Sequence, residues 1–170
     1  LLGHSWGSMI AQRLYNRHAS DYQGLVLSGS TLLLPGILPS GGFNKKWAGE
    51  AGSNGFEWLS RDKAVGEKFA ADPKNFPETA MQVFGVANAA RLLGVPSKSI
   101  PASTPVLVVA GSDDPLGGER GNKMLADAYL RAGVTDLTLY VYDDARHEVF
   151  NELNKQQVLD DLVAWLQERF

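Results

Sequence analysis

Apolar runs bounded by turn residues alternate with helical periodicity at both ends of the chain, around a middle of a different kind. "GLVLSGS", from Gly24 to Ser30, is a short continuous apolar run and reads as a strand buried on both faces. "TPVLVVAGSDDP", from Thr104 to Pro115, repeats that pattern with a proline before it and a turn cluster after it. "DLTLYVYDDA" alternates Leu137, Leu139 and Val141 with Thr138, Tyr140 and Tyr142, a third strand. Helices are expected over 6–18, with Ile10, Ala11 and Leu14 on one face, and over 119–132, with Met124, Leu125 and Ala128 and a stop at Gly133. A final helix places Leu159, Leu162, Val163, Leu166 and Phe170 on one stripe, opened by a capping box of Asn154 and Gln157. Strands alternating with helices imply an α/β chain with a parallel sheet covered on both faces. In such sheets chemistry gathers outside the carboxyl ends of the strands.

Residues 35–100 break this alternation. They begin "PGILPSGGFNKKWAGEAGSNG", continue through helix-like stretches around 56–70 and 77–93, and hold Trp47, Phe56, Trp58, Phe69, Phe76, Met81 and Phe84. With no clear strand and many large apolar side chains, the segment is expected to sit over the carboxyl edge of a core formed by 1–34 and 101–170. "SIPASTP" marks the return to that core.

Composition narrows the function classes more than it selects one. The 170 residues are 44% hydrophobic and 21% charged, ordinary for a globular domain with a sizeable core. A net charge of -3 gives no electrostatic footprint for nucleic acid or an anionic membrane surface. The absence of cysteine excludes a disulfide framework and cysteine-ligated metal. No apolar run is long enough to span a bilayer. The compartment stays open, with the cytoplasm preferred, and so does the oligomeric state.

Gly3-His4-Ser5-Trp6-Gly7 fits G-x-S-x-G, the turn that lifts a nucleophilic serine between a strand and a helix. A serine hydroxyl needs a base to take its proton and an acid to hold that base, each on a loop after a strand. The chain has three histidines. His4 lies within the turn and is expected to pack or hydrogen-bond beneath it. His18 falls at the far end of the first helix, roughly 20 Å from Ser5 at about 1.5 Å per residue. His147, in "DDARHEVFNE" between the third strand and the last helix, is left as the base. Asp113 and Asp114, in "GSDDP", are both candidates for the acid. A metal site built from Asp113, Asp114, His147 and Glu148 lacks a second histidine at ligand spacing.

These residues resemble the α/β-hydrolase superfamily, and within it the monoacylglycerol lipase and lysophospholipase-like serine hydrolases. The resemblance rests on "LLGHSWGS", "FEWLSRD" with "DP" ten residues on, "PVLVVAGSDDPLG", and "DARHEVFNEL" with "VLDDLVAWL", and covers essentially the whole chain. It implies the order Ser5, Asp114, His147, with Asp114 selected over Asp113 as the fourth residue of G-x-x-D. It implies a helical lid over 35–100 and an oxyanion donor in the backbone N–H of Trp6. Trp6 stands where methionine is commoner, which alters the acyl pocket. Only "LL" precedes the turn, so the resemblance implies the C-terminal portion of a longer fold, without its first four strands or second oxyanion donor and with an unpaired apolar edge.

The activity expected of the complete protein is acyl transfer from an ester of an apolar acyl chain to water, with no cofactor and a small-molecule ester or lipid as substrate; lacking the second oxyanion donor, these residues alone are expected to be about a hundredfold slower or more. Peptidase, thioesterase and acyltransferase chemistry use the same three residues. A non-catalytic ligand-binding role on the same scaffold is the rival from another class.

Overall fold

The computed structural model describes residues 1–34, 42–75 and 80–170. Phe76 and the side chain of Met81, grouped above with the large apolar residues of the middle, lie outside that description.

Four parallel strands lie side by side in chain order: β1 (Leu2–His4), β2 (Leu25–Ser28), β3 (Val106–Gly111) and β4 (Leu137–Tyr142). The helices are α1 (Trp6–His18), α2 (Lys63–Ala71), α3 (Ala80–Phe84), α4 (Val86–Ala90), α5 (Gly118–Ala132) and α6 (Lys155–Gln167). Successive side chains of a strand point to opposite faces, so β2 and β3, buried along their whole lengths, serve two cores. Leu25, Leu27, Val106 and Val108 pack under α1 and α5. Val26, Leu107 and Val109 pack under α6, against Val158 and Trp165. The alternating residues of β4 divide in the same way. Leu137 and Leu139 join the first core, Tyr140 and Tyr142 join the second, and Thr138 accepts a hydrogen bond from the Trp165 indole at 3.1 Å.

The strands and α5 follow the sequence pattern, and α5 ends at Gly133 in the left-handed conformation expected of a C-terminal glycine. Two helix faces differ from expectation. In α1, Ile10 is exposed, and the buried face includes Ser8, Ala11, Gln12 and Tyr15. The two polar members are accommodated because Gln12 donates to the Ser30 hydroxyl at 3.0 Å and to the Thr31 carbonyl at 3.1 Å, while the Ser8 and Ser30 hydroxyls lie 2.8 Å apart. In α6 the buried residues are Val158 and Trp165, with Leu162 of the expected stripe partly buried against them, whereas Leu159, Val163 and Leu166 are exposed, as is Phe170 beyond the helix end. The capping box does not form: Asn154 makes no side-chain cap bond and instead accepts from Arg61 at 2.9 Å.

Between β2 and β3 the described residues form no strand, only an isolated antiparallel bridge from Leu33 to Gly94. The stretch around 56–70 is split. A 3-10 turn at Glu57–Leu59 precedes α2, whose start is fixed by the Asp62 carboxylate accepting the Ala64 N–H. The stretch around 77–93 breaks at Gly85, whose φ of 78° interrupts the helix between α3 and α4.

The position of α6 separates two variants. Trp165→Ala, at a residue 2% exposed, is expected to cost about 3–5 kcal/mol, whereas Leu159→Ala, at 41% exposed, should stay within about 0.5 kcal/mol. Chemical denaturation of both measures the difference, and equal costs would contradict the observed helix face.

Candidate active site

Ser5 occupies the turn between β1 and α1 at φ 53° and ψ -125°, a left-handed conformation rarely adopted by non-glycine residues. Its backbone N–H donates to the Ser28 carbonyl at 2.9 Å, which ties the turn to the end of β2. Two close approaches build the surroundings. At Gly3 an added Cβ would lie 2.5 Å from the Gly7 carbonyl oxygen and 2.8 Å from the Ala11 Cβ, so α1 can descend onto β1 only over a glycine. At Gly111 an added Cβ would run into the carbonyl oxygens of Ala145 and Arg146, so the loop after β4 can cross the end of β3 only there.

That crossing carries His147 into place. His147 Nε2 lies 2.8 Å from Ser5 Oγ, and Nδ1 lies 3.0 Å from both carboxylate oxygens of Asp114. Because a carboxylate only accepts, the proton sits on Nδ1, leaving the Nε2 lone pair to accept the Ser5 O–H. His147 is 2% exposed and Asp114 4%. Asp114 Oδ1 also accepts the Leu116 N–H at 2.9 Å, which fixes the carboxylate. Asp113 points elsewhere, 2.6 Å from the Lys46 ammonium.

His4 lies beneath the turn, with its Nδ1 3.1 Å from the Ser28 hydroxyl and its ring centroid 5.0 Å from that of His147. Burial, and then the neighbouring His147, push its pKa down to about 4. His18 is at the surface, 3.5 Å from Asp21. Trp6 opens α1, so its N–H belongs to the first-turn amides that the helix leaves unbonded. The Trp6 indole stacks on Phe84 with centroids 5.3 Å apart and planes 6° apart. Among the described residues no group of three His, Cys, Asp or Glu side chains could hold a metal ion, and no helix is long and apolar enough to cross a membrane.

The sequence singled out Ser5, Asp114 and His147, which the structure brings within hydrogen-bonding distance, and missed what encloses them. Trp58 packs on the His147 ring at 4.9 Å, and Phe43 packs on Trp58 at 4.9 Å. Gly29, at φ 52°, leaves space for two imidazoles: an added Cβ would lie 2.9 Å from His147 Cε1 and 3.0 Å from His4 Cε1. Glu152 is fully buried and accepts backbone N–H groups from both sides of the site. Its sequence neighbours, Asn151, Leu153 and Asn154, gave no sign of that burial.

Two outcomes follow for stability. Gly3→Ala should destabilise by about 1–3 kcal/mol through overpacking, while Gly7→Ala, with open space around its Cβ, should be neutral or stabilising by up to about 1 kcal/mol; thermal melts of the pair test this. As pH falls below about 6.5, the unfolded chain protonates His4 while the folded protein resists until about 4, so folding stability declines across that window, by on the order of 3 kcal/mol from this group. Denaturation at several pH values should give a flatter profile for His4→Gln than for the native protein.

With this geometry in place, the comparisons with known proteins converge. Residues 1–154 match the family described as "Serine aminopeptidase, S33". The monoacylglycerol lipase of Mycolicibacterium smegmatis is 31% identical over 175 residues, covering 98% of this chain and 61% of that protein. A highly thermostable carboxyl esterase from Bacillus coagulans superposes with a TM-score of 0.79 at 20% identity, covering 99% of this chain and 64% of the esterase. A lipase in an open form superposes with a TM-score of 0.76 at 27% identity, covering 98% and 64%. The chain thus spans about three fifths of the length of the curated lipase it resembles. On the family match over residues 1–154, supported by the parallel sheet between helices, the chain belongs to the serine aminopeptidase S33 family of hydrolases and has an α/β-hydrolase fold.

Proposed function

We propose that this chain carries the reaction centre of a serine hydrolase that cleaves carboxylic esters of apolar acyl chains, similar to monoacylglycerols or lysophospholipids, through an acyl-enzyme. The observation behind this reading is the imidazole of His147, bonded on one side to Ser5 Oγ at 2.8 Å and on the other to Asp114 at 3.0 Å.

In this mechanism Ser5 Oγ attacks the ester carbonyl as His147 Nε2 takes its proton. Asp114 keeps Nδ1–H in place and stabilises the imidazolium that forms. The negative charge that develops on the carbonyl oxygen is met by the Trp6 N–H at the start of α1, where the helix dipole adds to it. One such donor contributes on the order of 3 kcal/mol to lowering the barrier. The proton on His147 passes to the leaving alkoxide, and water activated by the same base then releases the acid. This chemistry runs on side chains and backbone amides and calls for no cofactor.

Residues 1–34 and 101–170 are proposed as the hydrolase core, with 35–100 as a cap. The stacked rings of Trp6 and Phe84, with Trp6 opening the helix that follows Ser5 and Phe84 exposed, support an apolar acyl group on the substrate. The family description names an aminopeptidase, and the same three groups could serve amide cleavage. The 31% identity to a monoacylglycerol lipase favours the ester.

Ser5→Ala should lower kcat on a nitrophenyl acylate by about 10⁴-fold or more, and His147→Ala to a similar degree, in each case with folding retained. Activity that survives Ser5→Ala would refute the reading. Faster turnover of aminoacyl nitroanilides than of nitrophenyl acylates would replace the ester by an amide.

A further inference from the structure

Residues 57–61 lie as a strap across the loop that bears His147. The His147 N–H donates to the Trp58 carbonyl at 3.3 Å and the Glu148 N–H to the Leu59 carbonyl at 2.8 Å. Arg146 Nη1 donates to the carbonyls of Glu57 at 2.6 Å and Ser60 at 3.3 Å, and the Ser60 hydroxyl donates to the Asn151 carbonyl at 3.0 Å. Strap and loop come together on one carboxylate. Glu152 Oε1 accepts the backbone N–H groups of Arg61 and Arg146, and Oε2 accepts Arg61 Nε and the Leu153 N–H, all four at 2.9 Å. Arg61 Nη2 continues to Asn154 at 2.9 Å.

A fully buried carboxylate is costly unless both oxygens are bonded, and here both are. Burial alone would raise the Glu152 pKa, but the hydrogen bonds from Arg146, Arg61 and Leu153 outweigh it and hold the group below the usual carboxylate value. The anion therefore persists at neutral pH and keeps its four donors oriented. What they orient is the wall of the base, because the Trp58 indole rests 4.9 Å from the His147 ring.

We propose that Glu152 is a positioning residue for the reaction: through Arg61 and the strap it holds Trp58 against His147 and so keeps Nε2 directed at Ser5. This rests on the reading of Ser5, Asp114 and His147 given above. Reaction geometry is sensitive to displacements near 1 Å, which can cost about a hundredfold in rate. Glu152→Gln turns one acceptor into a donor facing two other donors, so the strap should loosen over the base.

The test measures steady-state kinetics and the rate of fluorophosphonate labelling at Ser5, under conditions where circular dichroism shows each variant folded. For Glu152→Gln the expected result is a ten- to hundredfold fall in kcat with KM within about twofold, and labelling slowed by the same factor. Trp58→Leu, which keeps the strap backbone, should show the same split. In Arg61→Ala, millimolar guanidinium should restore kcat, as a missing positioning cation allows and a general loss of stability does not. A folded Glu152→Gln protein that is labelled at the native rate overturns the proposal. Should that variant fail to fold, folded Arg61→Ala without guanidinium rescue overturns it instead. Native protein that is not labelled at Ser5 at all removes the hydrolase reading beneath it, an outcome distinct from both.

Discussion

An imidazole hydrogen-bonded at both nitrogens and hidden from water can adopt very few orientations, and the site of this chain is built to impose one. His147 lies between Ser5 and Asp114, with Gly29, His4 and Trp58 against its ring. Each contact depends on a separate piece of backbone. Ser5 needs the strained turn after β1, Asp114 needs the turn after β3, and His147 needs the passage over Gly111. The parallel sheet brings these ends to one edge because all four strands run the same way.

Polar burial at the site is more extensive than the three central side chains. Under the elbow, Ser8 and Gln12 of α1 meet Ser30 and the Thr31 carbonyl just after β2, so helix and strand are joined by hydrogen bonds where apolar contact would be usual. Beside the loop that bears His147, Glu152 gathers donors from Arg61, Arg146 and Leu153. Paired in this way, polar groups specify geometry more sharply than apolar packing does, since each fixes a direction as well as a distance.

The parts legible in the sequence are those with local signatures. Ser5 announces itself through the flanking glycines, Asp113 and Asp114 alike through their place after an apolar strand, with only the family resemblance choosing Asp114, and Gly133 through the helix it ends. The fold class was legible because β2 and β3 read as continuous apolar runs, which only strands covered on both sides require. Helix faces were less so. Leu159, Leu162 and Leu166 share a stripe by periodicity, yet of these Leu162 alone packs against the second core, and Val158 and Trp165 hold the fully buried positions against strands whose placement no helical pattern encodes. Asn154 and Gln157 had the spacing of a cap, and Arg61, more than ninety positions earlier, took the asparagine. The contact between strap and loop was not legible for the same reason: "FEWLSRD" and "DARHEVFNEL" each carry the family resemblance, but they lie about ninety positions apart and nothing local in either says that they meet.

That separation bears on how freely the intervening chain can change. The intervening chain includes β3, α5 and β4, and with them Asp114, so only the part between α2 and β3 has room to vary; because the entropic cost of closing a flexible loop grows only with the logarithm of its length, doubling that part would add about 0.6 kcal/mol. Insertions or deletions there are thermodynamically cheap as long as residues 57–61 still align with 146–152. Length changes in that connection can therefore alter the surface beside the site while leaving the imidazole and its two partners undisturbed.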